Sequence, residues 1–84
     1  MQDDPHDITL ARQLRIADLF LQARTDRKMT QQSLAAAAAV SVSTVVRVET
    51  GKLVPTAATL FALGCALGLD ADTLRAAVME PAPA

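Results

Sequence analysis

Thr30 and Ser41 stand only eleven positions apart, and each comes just ahead of a run of helix-forming residues. A hydroxyl at such a place can accept the unpaired backbone N–H groups of a first helical turn, so each marks a helix start. Gly51 marks a stop, because the left-handed residue that closes a helix is most easily a glycine. Residues 31–50 must therefore form two helices of about two turns each, split by a tight turn. Helices that short are unstable alone, so the rest of the chain has to pack against them.

The same punctuation continues on both sides. Asp7 or Thr9 can cap a first helix running to about Asp26. Its apolar positions Leu10, Leu14, Ala17 and Leu21 form one helical stripe, and Ile16, Phe20 and Ala23 form a second beside it. Lys28-Met29 makes a short connection. Pro55-Thr56 opens a fourth helix to Leu67, closed by Gly68, and Asp70 caps a fifth to about Met79. Strand-forming residues are too sparse for a sheet: the chain has 17 Ala and 11 Leu, but two Phe and no Trp or Tyr. Five successive alanines at 35–39 favour helix strongly. The expected fold is all-α, a compact five-helix bundle. Residues 1–7 read as an acidic flexible tail, 8–79 as the folded domain with its two central helices at about 31–50, and 80–84 as a C-terminal tail.

Several function classes fall away. One cysteine, Cys65, forms no internal disulfide, and one histidine leaves no zinc-ligand set, so neither metal nor cofactor is expected. Cys65 reads as a small hydrophobe and His6 as inert. No apolar run approaches the roughly 20 residues a membrane helix needs. No basic segment precedes an apolar one at the start, which points to the cytoplasm of a prokaryote or phage. No nucleophile–base pair, phosphate loop or paired-carboxylate site can be assembled, so the chain is not expected to be an enzyme. The net charge of −1 argues against a nucleic-acid partner when taken whole. By segment it does not: residues 8–56 carry +4, between flanks of −3 and −2. The field is asymmetric, with a basic half in the middle.

Within residues 31–50, Leu34, Ala38, Val40, Val45 and Val48 are the apolar positions that can hold the two helices together. Ala35 falls where they cross, and a larger residue there would push them apart. Two helices meeting at about 90–120° across a short turn have the geometry that places the second helix in the DNA major groove. The residues that carry this geometry resemble a known family. Thr30-Gln31-Gln32-Ser33-Leu34-Ala35, Val40-Ser41-Val42-Ser43-Thr44-Val45, Glu49-Thr50-Gly51-Lys52 and Pro55-Thr56 are similar to the Xre family, the phage-repressor and Cro type of helix-turn-helix. The likeness continues through Leu60, Leu63, Ala66-Leu67-Gly68-Leu69 and Leu74, covering roughly residues 16–75. It implies a lambda-repressor-like domain that binds double-stranded DNA. One position departs: the family's turn glycine is Ala39 here. Either alanine tolerates the left-handed conformation at about 1 kcal/mol, or the turn shifts by a residue.

The resemblance also implies roles. Arg24 and Glu49 match a structural ion pair joining the first helix to the end of the third; the alternative for Arg24 is a phosphate contact. Gln31 matches a phosphate-contacting residue at a helix N-terminus, where the dipole favours an anion; the alternative is capping alone. On the third helix the outward positions are Val42, Ser43, Thr44, Val46 and Arg47, the expected base contacts. Arg47 alone can bond guanine O6 and N7 together; its rival roles are a phosphate contact or plain surface charge. Ser43 and Thr44 can bond phosphate or base, and Val42 and Val46 can touch thymine methyl groups. Lys52, Arg27 and Lys28 are the further phosphate candidates.

Along the fourth helix, Ala58, Ala62 and Cys65 occupy positions that are polar in relatives, with Leu53, Val54 and Phe61 nearby. An apolar face of that size predicts a homodimer through these six residues, presenting two reading helices to a palindromic operator. Leu10 and Leu14 offer a competing interface, and the alternative is a first helix that folds back to cover these faces. The function expected is a sequence-specific transcriptional regulator, a repressor. The alternatives are an antitoxin whose partner is a toxin, and a helix-turn-helix adaptor that binds protein only.

Overall fold

A computed structural model describes residues 5–79, with side chains from Leu10 onward. It contains five helices: α1 (Pro5–Asp26), α2 (Gln31–Ala38), α3 (Val42–Glu49), α4 (Ala57–Ala66) and α5 (Ala71–Met79). There is no strand among the described residues. Thr30, Ser41 and Thr56 cap α2, α3 and α4, each side-chain oxygen accepting the backbone N–H three residues on, at 2.9 to 3.2 Å. Asp70 does the same for α5, its Oδ1 lying 2.8 Å from the Thr73 amide. The start of α1 differs from expectation. The helix already includes Pro5–Asp7, since a proline at the first helical position loses no hydrogen bond and has its φ preset. Residues 1–4 and 80–84, read as tails, and the His6 side chain lie outside the described ones.

Four helices end the same way. The amide two residues past the last full turn reaches back five residues, and a left-handed residue makes the bend. The closing bonds are Met29 N–H to Arg24 O, Val40 to Ala35, Lys52 to Arg47 and Leu69 to Gly64, at 2.8 to 3.1 Å. Gly51 and Gly68 supply the left-handed residue for α3 and α4, but Lys28 (φ 55°) and Ala39 (φ 57°) supply it for α1 and α2. Ala39 therefore holds the strained conformation, and the turn has not shifted.

The core is built from Ile16, Phe20 and Ala23 of α1, Leu34, Ala35 and Ala38 of α2, Val45 and Val48 of α3, and Leu60, Leu63, Leu67 and Leu74. Burying a large member such as Phe20 or Leu34 contributes about 1.5–3 kcal/mol. Of the two apolar stripes on α1, the core uses the second. Leu10, Leu14 and Leu21 stay 40 to 52% exposed, and only Ala17 of their stripe is buried. A helix that is apolar over more than one face does not reveal its inner side by periodicity; here the packing of α3 and α5 settles it. Nor does α1 fold back over α4, where Phe61 remains 49% exposed. Gly64 lets α4 and α5 approach closely: a Cβ on it would lie 2.5 Å from Leu74 Cδ1. Arg15 Nε, 3.3 Å from the Ala77 carbonyl, ties α1 to the far end of α5.

Candidate nucleic-acid interface

The short pair α2 and α3 is held by Leu34, Ala35 and Ala38 against Val45 and Val48, all buried. Its orientation relative to α1 is set by one polar node. Arg24 Nε and Nη2 donate to Glu49 Oε2 and Oε1 at 2.6 and 3.0 Å, and Arg24 Nη1 donates to the Met29 carbonyl at 2.8 Å. The two side chains are 13% and 3% exposed. The Glu49 hydrogen bonds outweigh partial desolvation and hold the guanidinium still more firmly in its charged form. A two-pronged pair with the third guanidinium nitrogen also hydrogen-bonded is the arrangement in which buried charges cease to be a liability.

Gln31 joins this node, which the sequence did not reveal. Its Nε2 donates to Glu49 Oε1 at 3.1 Å, and the residue is half-buried. One amide hydrogen is thus spent inside the protein, leaving the other for an outside acceptor. The signal was present as a glutamine at the first position of α2, but nothing local places it opposite a residue eighteen positions away.

On α3, Ser43 and Arg47 are exposed, Val42 is 38% exposed, and Thr44 and Val46 are half-buried. The Thr44 hydroxyl lies 2.8 Å from that of Ser41, so the cap engages it. Glu49 is the only acidic residue of α3, and it faces inward. The outward face of the helix consequently carries no negative charge. Lys52 is exposed in the residues that follow α3. Arg27 and Lys28 are exposed between α1 and α2, but Arg27 is partly committed: its Nη1 bonds the Ala23 carbonyl at 3.2 Å, and the guanidinium sits beside Gly68.

Among the expected interface residues, Val54, Ala58, Phe61 and Cys65 are exposed, whereas Leu53 and Ala62 are half-buried and pack onto the core. Residues 53–69 contain no charged side chain at all. No helix among the described residues is long and apolar enough to cross a membrane, and no group of three or more metal-ligating residues occurs among them.

A capped α2–turn–α3 unit braced by α1, with a hydroxyl- and arginine-bearing face free of acid, defines a DNA-binding helix-turn-helix regulator. A helix-turn-helix family model, HTH_3, matches residues 21–74, well over half of the chain. The chain belongs to this Xre-like family, and its all-α, lambda-repressor-like fold is the one expected from the sequence. Comparison with curated proteins finds no match.

Proposed function

We propose that the protein is a sequence-specific transcriptional repressor of the cytoplasm, not an enzyme, that binds a palindromic operator as a homodimer. The observation that carries this reading is the acid-free outward face of α3, displaying Val42, Ser43 and Arg47 while Glu49 is turned into the Arg24 pair. Arg47 meets a guanine edge, and Ser43 and the methyl-bearing side chains of Val42, Val46 and Thr44 meet neighbouring bases. Gln31, with its remaining amide hydrogen, and Lys52, Arg27 and Lys28 meet phosphates. The second copy docks on the charge-free surface of Val54, Ala58, Phe61 and Cys65, flanked by Leu53 and Ala62. Occupying the operator as a dimer blocks access to the promoter.

The test is affinity for duplex DNA against salt. Three cationic phosphate contacts in each of two copies give a log–log slope of about −5. Arg47→Ala relaxes preference at one base pair per half-site by about 1–3 kcal/mol and leaves nonspecific binding largely intact. Sedimentation that finds a monomer at ~100 µM overturns the dimer. The uncharged stretch at 53–69 also suits a protein-only adaptor. A flat salt slope favours that second reading.

A further inference from the structure

The outward face of α3 carries two parallel stripes, each a pair one helical turn apart: Ser43 with Arg47, and Val42 with Val46. The core draws instead on Val45 and Val48, so the Val42–Val46 stripe takes no part in it. Thr44 adds no free hydroxyl, being closed on Ser41. A β-branched apolar pair beside an arginine is a poor choice for a water-facing helix, since each valine lowers helix propensity and leaves apolar surface wet. What such a pair can recognise in a major groove is narrow. The C5-methyl of a pyrimidine projects there beside the hydrogen-bonding edge, and an apolar side chain is its natural contact.

Resting on the DNA-binding reading above, we propose that Val42 and Val46 read the pyrimidine C5-methyl group itself, whichever base bears it. Thymine and 5-methylcytosine are then both favoured over uracil and cytosine at the contacted positions. Operator affinity therefore responds to cytosine methylation. The two valines have Cβ atoms about 6 Å apart, a separation that covers neighbouring base steps of about 3.4 Å rise. Arg47 follows Val46 directly, which places a guanine contact next to a methylated pyrimidine in the same half-site. Removing one buried methyl group costs about four-fold in affinity.

The experiment takes duplexes that the full chain selects from a random-sequence pool. Each thymine of the half-site is replaced in turn by deoxyuridine, and each contacted position is also tested as cytosine and as 5-methylcytosine. The expected result is a loss of about four-fold on removing the methyl from thymine at one or two positions per half-site, with a matching gain on methylating cytosine there. Val42→Ala, at an exposed site that leaves the fold intact, shrinks both increments together. Equal affinity for thymine and uracil at every position of a well-bound site overturns the methyl reading alone. Failure to select any preferred sequence overturns the DNA reading and this inference with it.

Discussion

Replacing Ala39 by glycine stabilises the protein, although it puts glycine into an alanine-rich helical pair. Ala39 is exposed and sits at φ 57°, ψ 41°, closing α2 through the Val40–Ala35 hydrogen bond. A side chain in that left-handed conformation costs about 1–2 kcal/mol, and glycine removes the cost. Against this, glycine enlarges the freedom of the unfolded chain, worth about 0.4–1 kcal/mol. The net gain is about 0.5–1 kcal/mol, or a rise in Tm of roughly 3–6 °C for a domain of this size. Thermal and urea unfolding followed by circular dichroism measure it, with an unchanged m-value as the check on two-state behaviour. Ala36→Gly is the control: exposed inside the same helix three residues earlier, it costs about 1 kcal/mol. If Ala39→Gly destabilises as Ala36→Gly does, residue 39 is not left-handed, and the strain argument collapses.

Gly64→Ala overpacks the contact with Leu74 and costs about 1–2 kcal/mol after its gain in helix propensity; a second change, Leu74→Ala, then costs less than it does alone, which a double-mutant cycle reads. Glu49→Ala leaves the Arg24 guanidinium without its partner and destabilises by about 3 kcal/mol, whereas Arg24→Met with Glu49→Leu costs less than that single change in chemical denaturation. Asp70 has its pKa lowered by the Thr73 amide and hydroxyl, so its capping contribution is present above the ordinary value of 3.8 and is lost as pH falls below it. In acid titrations Asp70→Asn therefore flattens the stability slope below about pH 4 while keeping a capping side chain.

What could be read from the sequence followed from how local each signal is. Thr30, Ser41, Thr56 and Asp70 each declare a helix start by bonding an amide three residues away, so caps and helix ends were legible. The side of α1 that faces the core was not, because Leu10, Leu14 and Leu21 fit a helical stripe as well as Ile16, Phe20 and Ala23 do. Only the packing of other helices separates them. Ala39 left two turn geometries open, since its cost is small enough for tertiary contacts to absorb. Gln31 was singled out at its helix start, but its bond to Glu49 escaped, because it spans helices that meet only after folding. The Arg24–Glu49 pair was available solely through likeness to a family in which those positions pair.

The division of labour within α3 bears on how such a protein changes over generations. Val45, Val48 and Glu49 hold the helix in place, while Val42, Ser43 and Arg47 look outward and add nothing to the core. Substitutions at the outward three shift stability by only about 0.5 kcal/mol. Mutation can therefore vary this outward face without endangering the scaffold. On the DNA-reading role proposed above, a duplicated copy of this chain has a short path to a different target, through changes on this one face.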